Sequence, residues 1–344
     1  MIQERLKALR AEMEKRGITV YVVPTADFHE SEYVGDHFKA RKFITGFTGS
    51  AGTAVITLDE AGLWTDGRYF VQAENQLKDS TVTLYRMGEE GVPTVDEFVK
   101  DRLKEGGCLG FDGRVVNGTW GGKLEKIAAE KNVSMHVTED LIDLIWEDRP
   151  ALSKQPLFIL EEKYSGKSTA DKIGDLRKAM KENGADVHIL TSLYDIAWLL
   201  NIRGNDIDYV PVVLSYLVLN ETECIWFLQE EVVDDKIRAY LEENHITTKP
   251  YDAIYDYVPE IPADAVVLMN RGTVNYRIVN SLDKAIKVVD KPNPTELMKA
   301  VKNKTEVDNT RAAHVKDGVA FTKFMYWLKT NIGKIPMTEI SASD

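Results

Sequence analysis

The residue of the chain that stands out chemically is an arginine placed at a turn. In the segment GLWTDGRYFVQAE, residues 62–74, a short apolar strand stops at Asp66, and Arg68 follows at once beside two aromatic residues. Apolar residues then recur at helical spacing up to Leu77, which predicts a helix with Asp66 as its N-cap. An arginine at a helix N-terminus beside an aromatic ring is a good binder of a carboxylate or a peptide carbonyl. A salt bridge between Arg68 and a neighbouring acid is the alternative.

A glycine-rich segment, GFTGSAGTAVI, begins at Gly46. Its glycines have the spacing GxxGxxG, and a β-branched strand follows where a phosphate-binding loop needs a helix N-terminus. The pattern therefore indicates a tight chain reversal and a close approach of the backbone, rather than a nucleotide site.

The histidines and cysteines show no spacing typical of a metal or catalytic site. The six histidines are scattered and form no HExxH motif or Cys/His cluster. His29 and His37 lie in the densest polar group, for which a solvated loop is the simpler interpretation. Cys108 and Cys224 are far apart in the sequence, which argues against a disulfide framework and indicates a reducing compartment, the cytoplasm.

Composition and charge restrict the classes of protein to consider. The chain has 344 residues, of which 44% are hydrophobic and 28% charged, as in a soluble globular protein of two or three domains. Its net charge of −12 without a local basic patch argues against nucleic acid and against an anionic membrane as partners. The charged N-terminus does not resemble a secretion signal, and the longest apolar run is about half of the roughly 20 residues that a membrane span needs.

Two parts of the chain repeat one order of elements. Leu9 and Met13 lie on a helix that stops at a glycine and precedes an apolar strand, and Leu176 and Met180 repeat this layout at a constant offset. Paired strands follow in both halves. The repeat predicts an α/β fold with two similar tandem domains, in which mixed sheets are flanked by helices.

Proline-containing segments set the predicted domain boundaries. WEDRPALSKQP closes a first domain at 1–155, and DKPNPTELMKAVKNKTE closes a second domain at 156–293. Within residues 294–344, a capping box from Thr305 to Asp308 predicts the start of a long helix. The apolar residues of that helix need a further domain to pack against, so we expect an incomplete third domain. A helix docked on the second domain is the alternative.

Several segments, in order along the chain, resemble the three-domain type of Xaa-Pro aminopeptidase, also called aminopeptidase P. The match runs from Asp27 to Asp344 and is weaker over 220–290. Creatinase and prolidase share the C-terminal fold of this family but have one N-terminal domain, whereas the repeat indicates two. The matching segments are DFHESEYVGDHFKARKFITGFTGSAGTAVI, LWTDGRYFVQA, LIDLIWEDRP, DIAWLLNIRGNDI, AVKNKTEVDNTRAAHVKDGVAFTKFMYWL and TEIS.

The resemblance implies creatinase N-terminal-like domains at 1–155 and 156–293, and a linker with the first helix of a "pita-bread" metallopeptidase domain at 294–344. It implies a manganese-dependent exopeptidase that removes the N-terminal residue of peptides with proline at the second position, and a homodimer. The family's metal ligands, two Asp, one His and two Glu, would lie after Asp344. We therefore expect no bound manganese and no peptidase activity in this chain alone. Arg68 matches the N-terminal-domain arginine with which the family contacts its substrate.

One hypothesis leads and two alternatives stay open. In the leading hypothesis the chain is the non-catalytic N-terminal region of a cytoplasmic Xaa-Pro aminopeptidase, and it contributes substrate contact, active-site covering and oligomerisation. A stand-alone protein-binding module without catalysis is the first alternative, because the same fold serves in a histone-chaperone subunit and an acidic chain could bind basic proteins. A creatinase-like hydrolase of a small guanidino compound is disfavoured by the second N-terminal domain.

Overall fold

Strands rich in β-branched and aromatic residues alternate with amphipathic helices through most of the chain. The computed structural model describes residues 1–344, and it contains two six-stranded sheets and one two-stranded sheet. We call the elements around the first six-stranded sheet domain I. Its elements are α1 (Ile2–Lys15), β1 (Val20–Pro24), α2 (Ala40–Thr45), β2 (Thr53–Thr57), β3 (Ala61–Thr65), α3 (Phe70–Leu77), β4 (Thr83–Arg86), α4 (Val95–Arg102), β5 (Cys108–Phe111), α5 (Gly118–Glu130) and β6 (Ser134–His136).

The elements around the second six-stranded sheet form domain II. They are β7 (Phe158–Ile159), α6 (Glu162–Ser165), α7 (Thr169–Glu182), β8 (Val187–Leu190), α8 (Leu193–Leu199), β9 (Ile202–Arg203), β10 (Ser215–Asn220), β11 (Cys224–Leu228), α9 (Asp235–Glu243), β12 (Ile246–Pro250), α10 (Ile254–Tyr257), β13 (Val266–Met269), α11 (Tyr276–Ser281) and β14 (Lys287–Asp290). Short 3₁₀ turns lie at Asp36–Phe38, Glu230–Val232, Tyr251–Ala253 and Val258–Glu260.

The two large sheets have the same topology. The strand order is β4-β3-β2-β1-β5-β6 in domain I and β12-β11-β10-β8-β13-β14 in domain II. In each sheet the first strand runs antiparallel to one neighbour and parallel to the other. The outer pairs are parallel in both sheets. This equivalence, strand by strand, confirms the prediction of two similar tandem domains with mixed sheets.

Equivalent arginines make the same bond in both domains. Arg10 on α1 donates from Nε to the carbonyl oxygen of Thr57 at the end of β2, at 2.9 Å. Arg177 on α7 donates from Nε to the carbonyl oxygen of Asn220 at the end of β10, at 3.0 Å. The helix before the first strand of each large sheet, α1 or α7, is thus tied to the equivalent strand end, that of β2 or β10. The sequence repeat therefore extends to individual side-chain contacts.

A second pair of cations also occupies equivalent positions. Arg5 on α1 donates to the carbonyl oxygen of Phe43 at 2.8 Å and lies 4.0 Å from the centre of its ring. Lys172 on α7 donates to the carbonyl oxygen of Trp198 at 2.8 Å and lies 4.3 Å from its ring. Each cation satisfies a carbonyl at a helix C-terminus and stacks on an aromatic side chain. The short helix after the first strand of each large sheet, α2 or α8, is held in this way.

The two domains meet through a joint that repeats one motif. The backbone N–H of Gly118 donates to the carbonyl oxygen of Val274 at 2.8 Å, and the N–H of Tyr276 donates to the carbonyl oxygen of Val116 at 2.7 Å. These bonds flank Asn117 and Asn275, which cap α5 and α11 with their side chains. Because α5 and α11 hold the same place in their domains, the contact is reciprocal.

Side chains at the joint are not equivalent in size. Tyr276 of domain II packs into the core of domain I, with only 4% of its surface exposed. Its ring fills the space beside Gly121, where an added Cβ would lie 2.1 Å from the Cδ2 of Tyr276. In return, domain I places Phe28 and Phe38 in the core of domain II. The two domains therefore share their cores.

A third group of elements follows domain II. It consists of α12 (Pro294–Ala300), α13 (Lys304–Asn331) and α14 (Glu339–Ser343). Lys299 of α12 forms an ion pair with the buried Asp195 of α8, with Nζ and Oδ1 at 2.5 Å. By contrast, α13 has no buried residue, so this long helix leaves the packed body. None of the helices combines the length and the apolarity that a membrane span requires.

The predicted long helix is present, but the predicted capping box is wrong. The helix begins at Lys304, and its N-cap is Asn303 rather than Thr305. The Oδ1 of Asn303 accepts from the N–H of Glu306 at 3.0 Å. The Nδ2 of Asn303 also donates to the carbonyl oxygen of Ser165 at 2.8 Å. Asparagine caps at least as well as threonine, and this second bond ties the start of α13 to domain II.

Candidate functional site

Arg68 lies on the turn between β3 and α3 and pairs with Asp66. Its Nε donates to Oδ1 of Asp66 at 2.8 Å, and its Nη2 donates to Oδ2 at 2.9 Å. These bonds hold the pKa of Asp66 at about 2. The Arg68 side chain is nevertheless 69% exposed, and three of its five N–H donors have no partner in the protein. The salt bridge of the alternative prediction is present, and it leaves donors for a ligand.

The prediction that Asp66 caps α3 is wrong. The helix begins at Phe70, and the residue before it makes no side-chain capping bond. Asp66 accepts instead from the backbone and side-chain N–H groups of Arg68, so its oxygens are not available to the first turn. The equivalent helix of domain II, α9, does have such a cap, because Asp234 accepts from the N–H of Ile237 at 2.8 Å.

Tyr69 connects the Arg68 turn to the glycine-rich segment. Its hydroxyl forms a hydrogen bond with the Oγ of Ser50 at 2.6 Å, and the guanidinium carbon of Arg68 lies 5.2 Å from the centre of its ring. On the next turn of α3, Gln72 donates to the Oγ1 of Thr48 at 2.9 Å. The exposed arginine and the glycine-rich segment therefore form one surface.

The glycine-rich segment reverses the chain between α2 and β2. Gly46 ends α2 with a φ of 79°, a left-handed conformation that glycine adopts without strain. At Gly49 an added Cβ would lie 2.3 Å from the Cζ of Phe47, so no larger residue fits. A strand follows, and no helix N-terminus points at the segment. The prediction of a tight reversal with close backbone approach is confirmed.

Arg41 holds this segment from inside the protein, and the sequence pattern gave no sign of it. Its Nε donates to the Oγ1 of Thr25 at 2.9 Å and its Nη1 donates to the carbonyl oxygen of Phe47 at 2.6 Å. Its Nη2 donates to the carbonyl oxygen of Gly49. Only 4% of Arg41 is exposed, and no carboxylate lies within ion-pair distance. Burial lowers the pKa of Arg41 to about 10.

His29 is buried, so the prediction of a solvated loop is wrong for this residue. It is 2% exposed and lies between the domains. Its Nδ1–H donates to the carbonyl oxygen of Thr191 at 3.0 Å, and its Nε2 accepts from the hydroxyl of Tyr251 at 2.6 Å. These partners fix a neutral tautomer, and burial lowers the pKa of His29 to about 4. His37 is only partly buried, and its Nδ1 lies 2.7 Å from the carbonyl oxygen of Pro150.

The residues of the chain do not assemble a metal site. Across residues 1–344, no three His, Cys, Asp or Glu side chains come together in an arrangement that could hold a metal ion. Cys108 and Cys224 are free and buried, and burial raises the pKa of the Cys224 thiol to about 12. The donor groups within residues 1–344 therefore do not fit a manganese pair.

Two parts of the chain match the same kind of protein family. Residues 5–145 match a creatinase/prolidase N-terminal domain family, and residues 148–306 match a second family of the same description. Together these matches include both large sheets. Their order along the chain agrees with the duplication that the strand topology shows.

Curated relatives match along nearly the whole chain. The protein named "Probable Xaa-Pro aminopeptidase P" of Neurospora crassa is 38% identical over 356 residues, which is 99% of this chain and 52% of the relative. The protein of the same name from Sordaria macrospora is also 38% identical over 356 residues, 99% of this chain and 58% of the relative. The chain thus spans a little over half the length of these relatives.

A solved structure shows the same arrangement of domains. The X-prolyl aminopeptidase of Caenorhabditis elegans, described as a cytosolic enzyme with a di-nuclear active site, superposes with a TM-score of 0.92 at 31% sequence identity. The superposition covers 99% of this chain and 58% of that protein. These matches confirm the resemblance to the N-terminal domains of three-domain Xaa-Pro aminopeptidases.

Proposed function

The chain belongs to the creatinase/prolidase N-terminal domain family, and from this premise we propose that it is the non-catalytic N-terminal region of a metal-dependent Xaa-Pro aminopeptidase. Such an enzyme removes the N-terminal residue of peptides that have proline at the second position. The observation that carries the proposal is the TM-score of 0.92 over 99% of the chain with an X-prolyl aminopeptidase. The domain bounds of the proposal are those expected from the sequence, 1–155, 156–293 and 294–344.

In this proposal Arg68 contacts the substrate peptide. Its exposure and its three donors without a partner support the role, because an arginine can donate to a peptide carbonyl or carboxylate while it keeps its pairing with Asp66. Tyr69 and the glycine-rich segment support the turn from behind. Domain I would then cover the active site and limit the length of the peptide.

We propose that α13 is the packing surface for the catalytic part of the enzyme. Val315, Val319 and Phe321 are between 51% and 68% exposed, and a groove of about 620 Å³ with mainly apolar walls lies between α13 and α14. Exposed apolar patches of this kind mark interaction sites. The homodimer of the proposal is expected from the family resemblance.

The metal ions of the proposed enzyme would be held outside residues 1–344. We infer two manganese ions from the family resemblance, and the description of the C. elegans enzyme as di-nuclear supports a pair. Its description as cytosolic supports a cytoplasmic location. In this division of roles the present chain supplies binding and shape, and residues elsewhere supply the chemistry.

A chimera tests the proposal. Residues 1–344 would replace the matched part of the C. elegans enzyme, and release of arginine from Arg-Pro-Pro would be measured with Mn²⁺. We expect the chimera to release arginine and the 344-residue chain alone to be inactive. The unmodified C. elegans enzyme is the control. A folded chimera without activity, or an active isolated chain, would contradict the assignment.

The substitution Arg68→Ala tests the role of the turn. In the chimera we expect kcat/KM to fall by about tenfold or more, because a charge-assisted bond to the substrate is lost. Thermal unfolding should be unchanged, since the side chain is exposed. Arg238→Ala is the control. Arg238 is exposed like Arg68 but, unlike Arg68, forms no ion pair. If the two variants have the same kcat/KM, Arg68 has a structural role and does not contact the substrate.

A second candidate is a protein-binding module without catalysis. The net charge of −12 favours a basic protein as its partner. A pull-down of the isolated chain with histones distinguishes the candidates. Saturable binding that disappears with salt, together with an inactive chimera, would favour the module.

A further inference from the structure

A pocket lies between the two domains, and the proposed function makes no use of it. Its volume is about 290 Å³, close to the lower end of small-molecule sites, which is about 300 Å³. Domain I contributes residues 32–34, part of α2 and the glycine-rich segment to its walls, and domain II contributes residues 207–209. We call this space the interdomain pocket.

Two cations without an ion pair, Arg41 and Lys42, are the groups of the interdomain pocket that favour an anion. Lys39, Arg41 and Lys42 line it, together with the acids Glu32 and Asp208. Lys39 is already paired with Asp36. Lys42 is exposed and has no ion pair, and Arg41 is buried with only neutral oxygens as its acceptors. A buried cation without a counter-ion is unfavourable, so a small anion that reaches the pocket would be stabilised there.

Arg41 also has donors to spare for such an anion. Its three bonds to Thr25, Phe47 and Gly49 use three of the five N–H groups of a guanidinium. The same bonds fix the plane of the group, so little conformational freedom remains to be lost on binding. A carboxylate matches both the charge and the planar geometry of an arginine side chain.

Two exposed tyrosines lie at the rim of the pocket, one from each domain. Tyr33 is 52% exposed and Tyr209 is 98% exposed. Tyr209 has a φ of 66°, which a bulky residue rarely adopts. A turn holds it there, with the N–H of Val210 donating to the carbonyl oxygen of Ile207 at 3.2 Å. Strain of this kind is typical of binding sites, and the aromatic rings offer an apolar contact for a side chain.

We propose that the interdomain pocket binds a small molecule of amino-acid or dipeptide size through its carboxylate. Arg41 and Lys42 receive the carboxylate, and Tyr33 and Tyr209 cover the rest of the ligand. The proposal uses neither Arg68 nor α13, and it needs no peptidase activity. It can therefore hold or fail independently of the proposed function.

Calorimetric titration of the 344-residue chain tests the ligand class with three probes: glycyl-leucine, its amide glycyl-leucinamide, and inorganic phosphate. Glycyl-leucine should bind, and the amide should bind at least about tenfold more weakly, because it lacks the carboxylate. Equal binding of dipeptide and amide would overturn the proposal. So would the absence of dipeptide binding up to about 10 mM, or phosphate binding as tight as that of the dipeptide.

Two matched lysine variants test whether the interdomain pocket is the binding site. Lys42→Gln should weaken glycyl-leucine binding by about two- to fivefold, as expected for an exposed ion pair. Lys126→Gln removes another exposed lysine without an ion pair, on α5, and should leave the affinity unchanged. If both variants have the same affinity, the pocket is not the site.

The role of Arg41 is tested by NMR spectroscopy of the parent chain, so that the result does not depend on the stability of a variant. The Arg41 Nε–H resonance in the parent chain should shift on addition of glycyl-leucine and not on addition of the amide. A signal that does not move at saturating dipeptide would overturn the role of Arg41. Where Arg41→Lys folds, we expect it to lower the affinity at least about tenfold, since the planar fork is lost.

Discussion

Domain I and domain II have one topology, but they give different residues to each other at their joint. Domain II places the ring of Tyr276 in the core of domain I, beside Gly121. Domain I places Phe28 in the core of domain II and His29 against Thr191 of that domain. The backbone contact is symmetric and the side chains are not. The backbone contacts where the domains meet are thus symmetric, while the side chains that each domain places in the other differ.

A second difference lies at the turn after the third strand of each sheet. In domain II the turn leads into α9, whose first turn is capped by Asp234. In domain I, Asp66 lies four residues before the start of α3 and is paired with Arg68, and α3 begins without a side-chain cap. The turn therefore caps a helix in domain II and presents an exposed cation in domain I.

The largest effect should come from His29, which makes the joint sensitive to acid. In the folded chain burial lowers its pKa from 6.5 to about 4. Between these values the unfolded chain binds the additional proton, so the free energy of unfolding falls as the pH decreases. The full difference between the two pKa values corresponds to a loss of about 3 kcal/mol in the free energy of unfolding. Urea denaturation between about pH 4 and pH 7 measures this loss.

The variant His29→Phe isolates the histidine from the carboxylates that also titrate at low pH. It cannot bind a proton at this position, so its stability should decline less than that of the parent between pH 6.5 and about 4. If parent and variant lose stability equally over that range, the interdomain histidine is not the source of the acid sensitivity.

Two neighbouring glycines test the unequal sizes at the joint. In Gly121→Ala the new methyl group would lie 2.1 Å from the Cδ2 of Tyr276, so we expect a loss of about 2 kcal/mol. In Gly122→Ala the methyl group has no neighbour within 4 Å, and a gain of about 0.5–1 kcal/mol is expected from helix propensity. Urea denaturation of both variants gives the comparison. If both substitutions change the free energy of unfolding in the same direction, the ring of Tyr276 does not depend on the space beside Gly121.

The smallest effect distinguishes the two turns. Asp234→Ala removes the cap of α9 and should lower the free energy of unfolding by about 1 kcal/mol. Asp66→Ala removes no cap, so the midpoint of urea denaturation should stay close to that of the parent. An equal loss in both variants would mean that the turn of domain I contributes to stability as the turn of domain II does.

Most of the fold could be predicted because the pattern is local and occurs twice. The spacing of apolar residues on α1 and α7, each helix stopped by a glycine and followed by a strand, predicted the duplication. The structure extends the agreement to Arg10 and Arg177. The joint is harder to find in the sequence, since Val-Asn occurs at 116–117 and 274–275 but also at 279–280, so the dipeptide alone does not mark it.

The environment of individual residues was harder to predict. His29 is surrounded by polar residues in the sequence, but its partners Thr191 and Tyr251 lie 162 and 222 residues away. Arg41 is one of two basic residues on α2, and only the folded reversal shows that its hydrogen bonds point into the protein. Local pattern therefore predicted the pairing of Arg68 with an acid, which lies two residues away, and missed the residues buried by distant contacts.

The reciprocal bonds around Asn117 and Asn275 give the joint a local two-fold symmetry. Exchange of the two domains turns each bond into the other, Gly118 to Val274 and Tyr276 to Val116. This is the rule that a homodimer with a two-fold axis obeys, since residue i contacts j and j contacts i. The joint therefore has the contact pattern of a homodimer interface, although both of its halves belong to one polypeptide.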